Sequence, residues 1–166
     1  MKDRFVTDLG LGAYLLMHGF QVSGKKLKAV YYECGENERE NFDTLIREYM
    51  PPSDFYLFDA CLMSLKKNNP WLEEVSSYPH TDKENIEVVT DMGQAAYILM
   101  KEYLKQPNER NFKVIGRGRN KEIYFLVNNE DKNEFKRTAF TYLSSPFHNF
   151  DACLMTLRKI GEYIPN

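Results

Sequence analysis

The chain has 166 residues, 43% of them apolar and 14% aromatic, and a formal net charge of −2. This composition excludes a disordered chain, and the small negative charge offers no overall attraction for nucleic acid or an acidic membrane. No apolar run reaches the length of a membrane span and no signal-like stretch opens the chain, so a cytoplasmic protein that makes no membrane contact is expected.

Thr7-Asp8 offers a cap to the first free N–H groups of a helix, and Leu9, Gly12, Ala13, Leu16 and Phe20 recur at helical spacing. A helix over 8–18 follows, with Gly19 as its terminator. Phe20-Gln21-Val22 reads as a short strand, Ser23-Gly24-Lys25-Lys26 as a turn, and 27–34 as a second strand rich in Val30, Tyr31 and Tyr32. Phe42, Leu45, Ile46 and Tyr49 mark a second helix, which Pro51-Pro52 ends. A third helix starts within 54–59 and carries Phe58, Cys61, Leu62 and Leu65 on one face. Residues 69–87 form a polar connector with Pro70, Trp71 and Pro79. The order then recurs as helix 91–104, strands near 111–117 and 122–128, and helices 132–143 and 149–162.

The recurrence is also one of sequence. Residues 6–17 return as 89–100 with 8 of 12 identical, and 58–67 return as 150–159 with 8 of 10 identical. Two matches in the same order indicate a tandem duplication, with unit one at 1–68 and unit two at 88–166. Units of this size are marginal alone, so a shared buried surface is expected. The predicted fold is α+β: two αββαα units related by a pseudo-two-fold, with antiparallel hairpins in one shared or abutting sheet packed against helices. The offset between copies is 83 at the first helix and 92 at the last. The nine extra residues fall between 101 and 121 and are expected to lengthen the second hairpin.

Residues retained in both copies yet off the core stripe are Gly10, Tyr14, Met17 and Met63, with Gly93, Tyr97, Met100 and Met155. They are candidates for packing of unit against unit, or for a partner interface; a sharper alternative makes Tyr14 and Tyr97 paired ligand contacts. Asp59 and Asp151 serve most simply as helix-start carboxylates. Cys34, Cys61 and Cys153 are an odd number without a CxxC pair, and His18, His80 and His148 stand apart. Cys61 and Cys153, on apolar helical stripes, are expected to be buried packing residues. No catalytic residue, metal site or cofactor is expected, and an enzyme is the least favoured class.

The remaining signal is electrostatic. Lys105, Arg110, Lys113, Arg117, Arg119 and Lys121 face only Glu109 within 105–121. With aromatics interleaved, this hairpin is a candidate for single-stranded DNA or RNA: Lys113, Arg117, Arg119 and Lys121 on phosphate, Tyr124 and Phe125 stacking on bases. Lys25, Lys26 and Lys28 beside Tyr31 and Tyr32 form a weaker version. The plainer alternative is a solvated hairpin whose lysines blunt an open edge.

The Thr-Asp-x-Gly-x-Ala-Ala-Tyr-Leu-Leu pattern, carried by 7–17 and 90–100 and followed by Phe20-Gln21-Val22 or Phe112-Lys113-Val114, resembles a family of small uncharacterised αββα domains common in phages and prophages. The resemblance implies a viral or mobile-element origin and a non-enzymatic role, and it carries over no functional residues. Two functions are therefore expected from different classes. One is single-stranded nucleic-acid binding through the basic hairpin. The other is a protein-interaction or virion-associated structural role, with a phage or host protein as partner and no nucleic acid. The chain would act as a monomer with internal pseudo-symmetry or as a homo-oligomer.

Overall fold

A computed structural model describes residues 3–67, 85–118 and 121–164. Most of the connector, with Trp71, and Arg119 of the hairpin tip lie outside the described residues.

The first half runs β1 (Arg4–Val6), α1 (Leu9–Met17), β2 (Val22–Lys26), β3 (Ala29–Tyr32), α2 (Arg39–Tyr49) and α3 (Asp54–Lys67). The second runs β4 (Ile86–Val89), α4 (Met92–Tyr103), β5 (Phe112–Arg117), β6 (Ile123–Val127), α5 (Lys132–Thr141) and α6 (Pro146–Lys159). The fold is α+β. Asp8 accepts the Leu11 N–H and Asp91 the Gln94 N–H, each at 3.0 Å, so both caps form as their sequence indicates. Gly19 adopts φ +95° beyond α1, a conformation few other residues reach cheaply.

Three expectations are corrected. Each half is βαββαα, not αββαα, because β1 and β4 precede the first helices; strands of three and four residues are too short to show a period in sequence. Among the described residues the hairpins lie in two separate antiparallel sheets, of order β1-β3-β2 and β4-β6-β5 with β3 and β6 central, and not in one shared sheet. Ser23 to Lys26 is strand, not turn. Gly24 belongs to a bulge after Val22, and the chain reverses at Leu27, at φ 54°.

The nine additional residues fall inside the expected span 101–121, but ahead of the hairpin and not in it. The bulge at Val22/Gly24 corresponds to that at Val114/Gly116, already at the full offset of 92. The added length therefore precedes β5. It extends α4 to Tyr103 and forms the 3-10 turn Pro107–Glu109, leaving β5 one residue longer than β2.

Contacts divide the chain into two compact units, and neither is a contiguous sequence repeat. The first comprises Met1–Leu57 with Asn149–Asn166, the second Phe58–His148. The body of α6 thus belongs to the first unit and the body of α3 to the second. In the first, Phe20 meets Phe42 edge-on at 5.1 Å and Tyr49 stacks on Phe150 at 6.3 Å. In the second, Phe112 meets Phe135 edge-on at 5.1 Å and Tyr142 stacks on Phe58 at 6.4 Å. Phe58 and Phe150 are fully buried, each contributing about 2 kcal/mol of apolar burial to the unit that receives it.

Candidate functional site

Strand β6 of the hairpin alternates strictly: Ile123, Phe125 and Val127 point to the core, Tyr124 and Leu126 to the opposite face. The expectation that Phe125 stacks on a base is corrected by its position. The ring is fully buried and lies edge-on to Phe135 at 5.3 Å, because its place in the alternation is the inner one. Tyr124 is half-buried on the outer face, and its hydroxyl donates to Glu122 Oε2 at 2.7 Å. That hydrogen bond, with burial second, raises its pKa.

Arg117 is held to helix carbonyls through one guanidinium nitrogen. Its Nη1 donates to the carbonyls of Leu65 at 3.4 Å and Lys66 at 3.0 Å, placing a cation at the C-terminus of α3. The first unit has the same device at the corresponding strand position, where Lys25 Nζ donates to the carbonyl of Leu157 at 2.6 Å, in the last turn of α6. Two cations expected to contact a ligand thus satisfy helix carbonyls. Lys113 and Lys121 are exposed, as are Lys26 and Lys28 of the first hairpin.

β5 is an edge strand, and beside it lies a groove of about 520 Å³. Its floor is apolar, with Leu65, Leu99, Phe112 and Leu126; its rim carries Tyr103, Arg110, Asn111 and Lys113. Glu102 lines it too, and sequence reasoning missed this residue, which looks like part of a solvated helix end. The side chain is buried, and its carboxylate accepts the N–H groups of Asn111 at 2.8 Å and Phe112 at 3.1 Å, together with Lys105 Nζ at 2.8 Å. Burial pulls the Lys105 pKa down, but its hydrogen bonds and charge contacts with Glu102 and Glu134 outweigh this and raise it. The Arg110 guanidinium lies 5.0 Å from the Tyr103 ring centroid, and Arg110 Nε donates to the Glu102 carbonyl.

The first unit has a smaller groove of about 300 Å³. Four of its lining residues, Leu16, Val22, Thr156 and Leu157, correspond in sequence to Leu99, Val114, Ser64 and Leu65 of the larger one. Here the strand edge is taken: Lys25 N–H donates to the Tyr163 carbonyl at 2.7 Å, Tyr163 N–H to the Lys25 carbonyl at 2.9 Å, and Leu27 N–H to Glu162 Oε1 at 3.0 Å.

The retained residues divide by burial. Gly10, Tyr14, Gly93, Tyr97 and Met100 are buried, Met17 is half-buried, and Met63 and Met155 are exposed. Tyr14 packs on Tyr49 and Phe55, with its hydroxyl 3.4 Å from Glu48 Oε2; Tyr97 packs on Tyr142 and Phe147, with its hydroxyl 3.3 Å from Thr141 Oγ1. Both tyrosines are therefore core residues of their own units, which removes the reading of an open ligand pair. Cys61 is buried, and desolvation pushes its thiol pKa up to about 12; Cys153, expected to be buried, is half-buried. Among the described residues no three His, Cys, Asp or Glu side chains converge as a metal site would need, and no helix is long and apolar enough to cross a membrane. No protein family, curated protein or solved structure matches the chain.

Proposed function

We propose that the chain is a non-enzymatic protein-interaction module of phage or mobile-element type, made by tandem duplication of one small unit. The duplication is supported by the matched segments, the common strand order and the paired ring geometries. The observation that carries the interaction reading is where the copies leave apolar side chains in water. Phe5 and Val88 are 58% and 47% exposed, Met50 and Leu143 49% and 53%, and Met63 and Met155 36% and 45%. Each pair occupies corresponding positions. Single exposed apolar residues are ordinary, but three corresponding pairs left exposed in both halves support a partner-binding role.

The test is to compare the parent with a Met63→Lys, Met155→Lys double variant. The expected result is an unchanged melting temperature with loss of the proteins the parent retains from its native source. Equal retention by both proteins removes the reading.

A second reading, single-stranded nucleic-acid binding, is favoured by exposed Lys113 and Lys121 on the second hairpin. It requires retention on oligonucleotides that falls steeply with salt. Lys113→Ala with Lys121→Ala then lowers the salt slope by about 1.4, the share of two phosphate contacts. Absence of retention at low salt ends that reading.

A further inference from the structure

We propose that the edge of β5 and the groove beside it receive an extended peptide of a partner protein by antiparallel strand addition, the peptide carrying an aromatic residue and, four residues after it, an acidic one. This rests on the protein-interaction reading and names the partner's chemistry.

The first unit supplies the pattern. Its edge strand β2 is already paired at Lys25 with an extended segment of the chain, through one N–H and one carbonyl each way at Tyr163. The neighbouring Glu162 carboxylate takes the next free N–H along the edge, that of Leu27. In the second unit the corresponding residue is Arg117. Gly118 N–H donates to the Glu122 carbonyl, so the Gly118–Glu122 pair is the hydrogen-bonded one and the adjacent Arg117–Ile123 pair is not. In an antiparallel ladder that alternation turns the Arg117 N–H and carbonyl away from β6, outward along the edge. The Arg117 side chain leaves this edge clear as the Lys25 side chain does, since each reaches inward to helix carbonyls.

The grooves beside the two edges differ in size and charge. The larger cavity follows from the added residues, which bring Tyr103, Arg110 and Asn111 to its rim. Arg110 and Lys113 give the rim two cations. Among the described residues lining it the one acid, Glu102, is matched by Lys105 and two backbone N–H groups. Tyr163 lines the first groove from its place opposite Lys25. In that antiparallel register the residues after one paired with Arg117 run back along β5 towards Lys113 and Arg110, so an acidic side chain four residues later is attracted, and the apolar lining of Leu65, Leu99, Phe112 and Leu126 suits apolar side chains in between. Backbone pairing supplies affinity in such complexes, and the pockets alongside supply choice of side chain.

The experiment is a titration of the isotope-labelled full chain with the synthetic peptide acetyl-Ile-Gly-Glu-Tyr-Ile-Val-Val-Glu-amide, whose first five residues copy the segment paired with β2 and whose last places a carboxylate opposite Lys113. Saturable shifts are expected at the amides of Arg117, Gly118, Asn111 and Lys113. N-methylation of the peptide's tyrosine should abolish them, and Lys113→Glu should weaken binding about threefold. Shifts confined to β2, equal binding of the N-methylated peptide, or no saturable change at β5 with peptide at millimolar concentration overturns the proposal. If the methionine double variant loses its partners while the peptide fails, strand addition is wrong and the interaction reading survives. If both fail, that reading falls as well.

Discussion

In the first unit the Tyr32 hydroxyl donates to the carbonyl of Gly12, and a Cβ at Gly12 would lie 3.0 Å from that oxygen and 3.3 Å from Leu157 Cδ1. In the second unit the corresponding residues are Phe125 and Ala95, both fully buried. The hydroxyl is gone and a methyl group is present. One unit fills the space between first helix and central strand from the strand side, the other from the helix side. The comparison shows that volume at a close contact is held while the atoms supplying it change, so these positions vary in pairs.

The most severe way to break the comparison is to empty the ring site on a third helix. Phe150→Ala should cost about 3–5 kcal/mol. Hydrogen exchange should show the lost protection in β1–β3, because α6 belongs to the first unit; Phe58→Ala should do the same to β4–β6. Loss in the opposite sheet would overturn the assignment of these helices. Next in size is the compensating pair. Gly12→Ala alone should destabilise by about 1–3 kcal/mol through overpacking. Adding Tyr32→Phe should recover much of it in urea unfolding, reproducing the second unit's solution. A strictly additive double variant would show that hydroxyl and methyl do not compete.

Alkaline pH separates the units through a thiol. Burial in the second unit raises the Cys61 pKa from 9.0 to about 12, so the protonated form is favoured in the folded state. Stability is complete below 9.0 and is lost as pH rises towards 12, by roughly 1 kcal/mol one pH unit above 9.0. Cys61→Ala should flatten this slope in melts across that range. A residual slope should remain, because burial also raises the pKa of Tyr32 in the first unit. An unchanged slope would remove Cys61 as its source. Smallest are the caps. Asp8→Ala and Asp91→Ala should each cost about 1 kcal/mol, and their effects should add because they share no partner. Marked non-additivity would show coupling between them.

The helices were legible because their signals are local. Asp8 and Asp91 announce caps, and Phe42, Leu45 and Tyr49 announce a buried face; the structure has both. The short strands β1 and β4 were not legible, since three or four residues carry no period and gain stability only from the central strands they pair with. Gly24 reads as a turn from composition, but the ladder places it in a bulge. The basic hairpin shows why composition misassigns a site. Six cations in sequence say nothing of which face each occupies, and Arg117 is drawn to helix carbonyls contributed by residues 65 and 66, far away in sequence. The membership of α3 and α6 was also hidden, because the two helices have nearly the same sequence over 58–67 and 150–159 and either fits either unit by pattern.

That membership has a consequence for synthesis. The second unit is one unbroken stretch ending at His148, whereas the first needs residues from Asn149 onward to fill its core. A chain emerging from the ribosome therefore holds its N-terminal strands and α1 without their last packing helix while the later unit is already complete. The usual order of domain completion is reversed: the segment made first is the last to close.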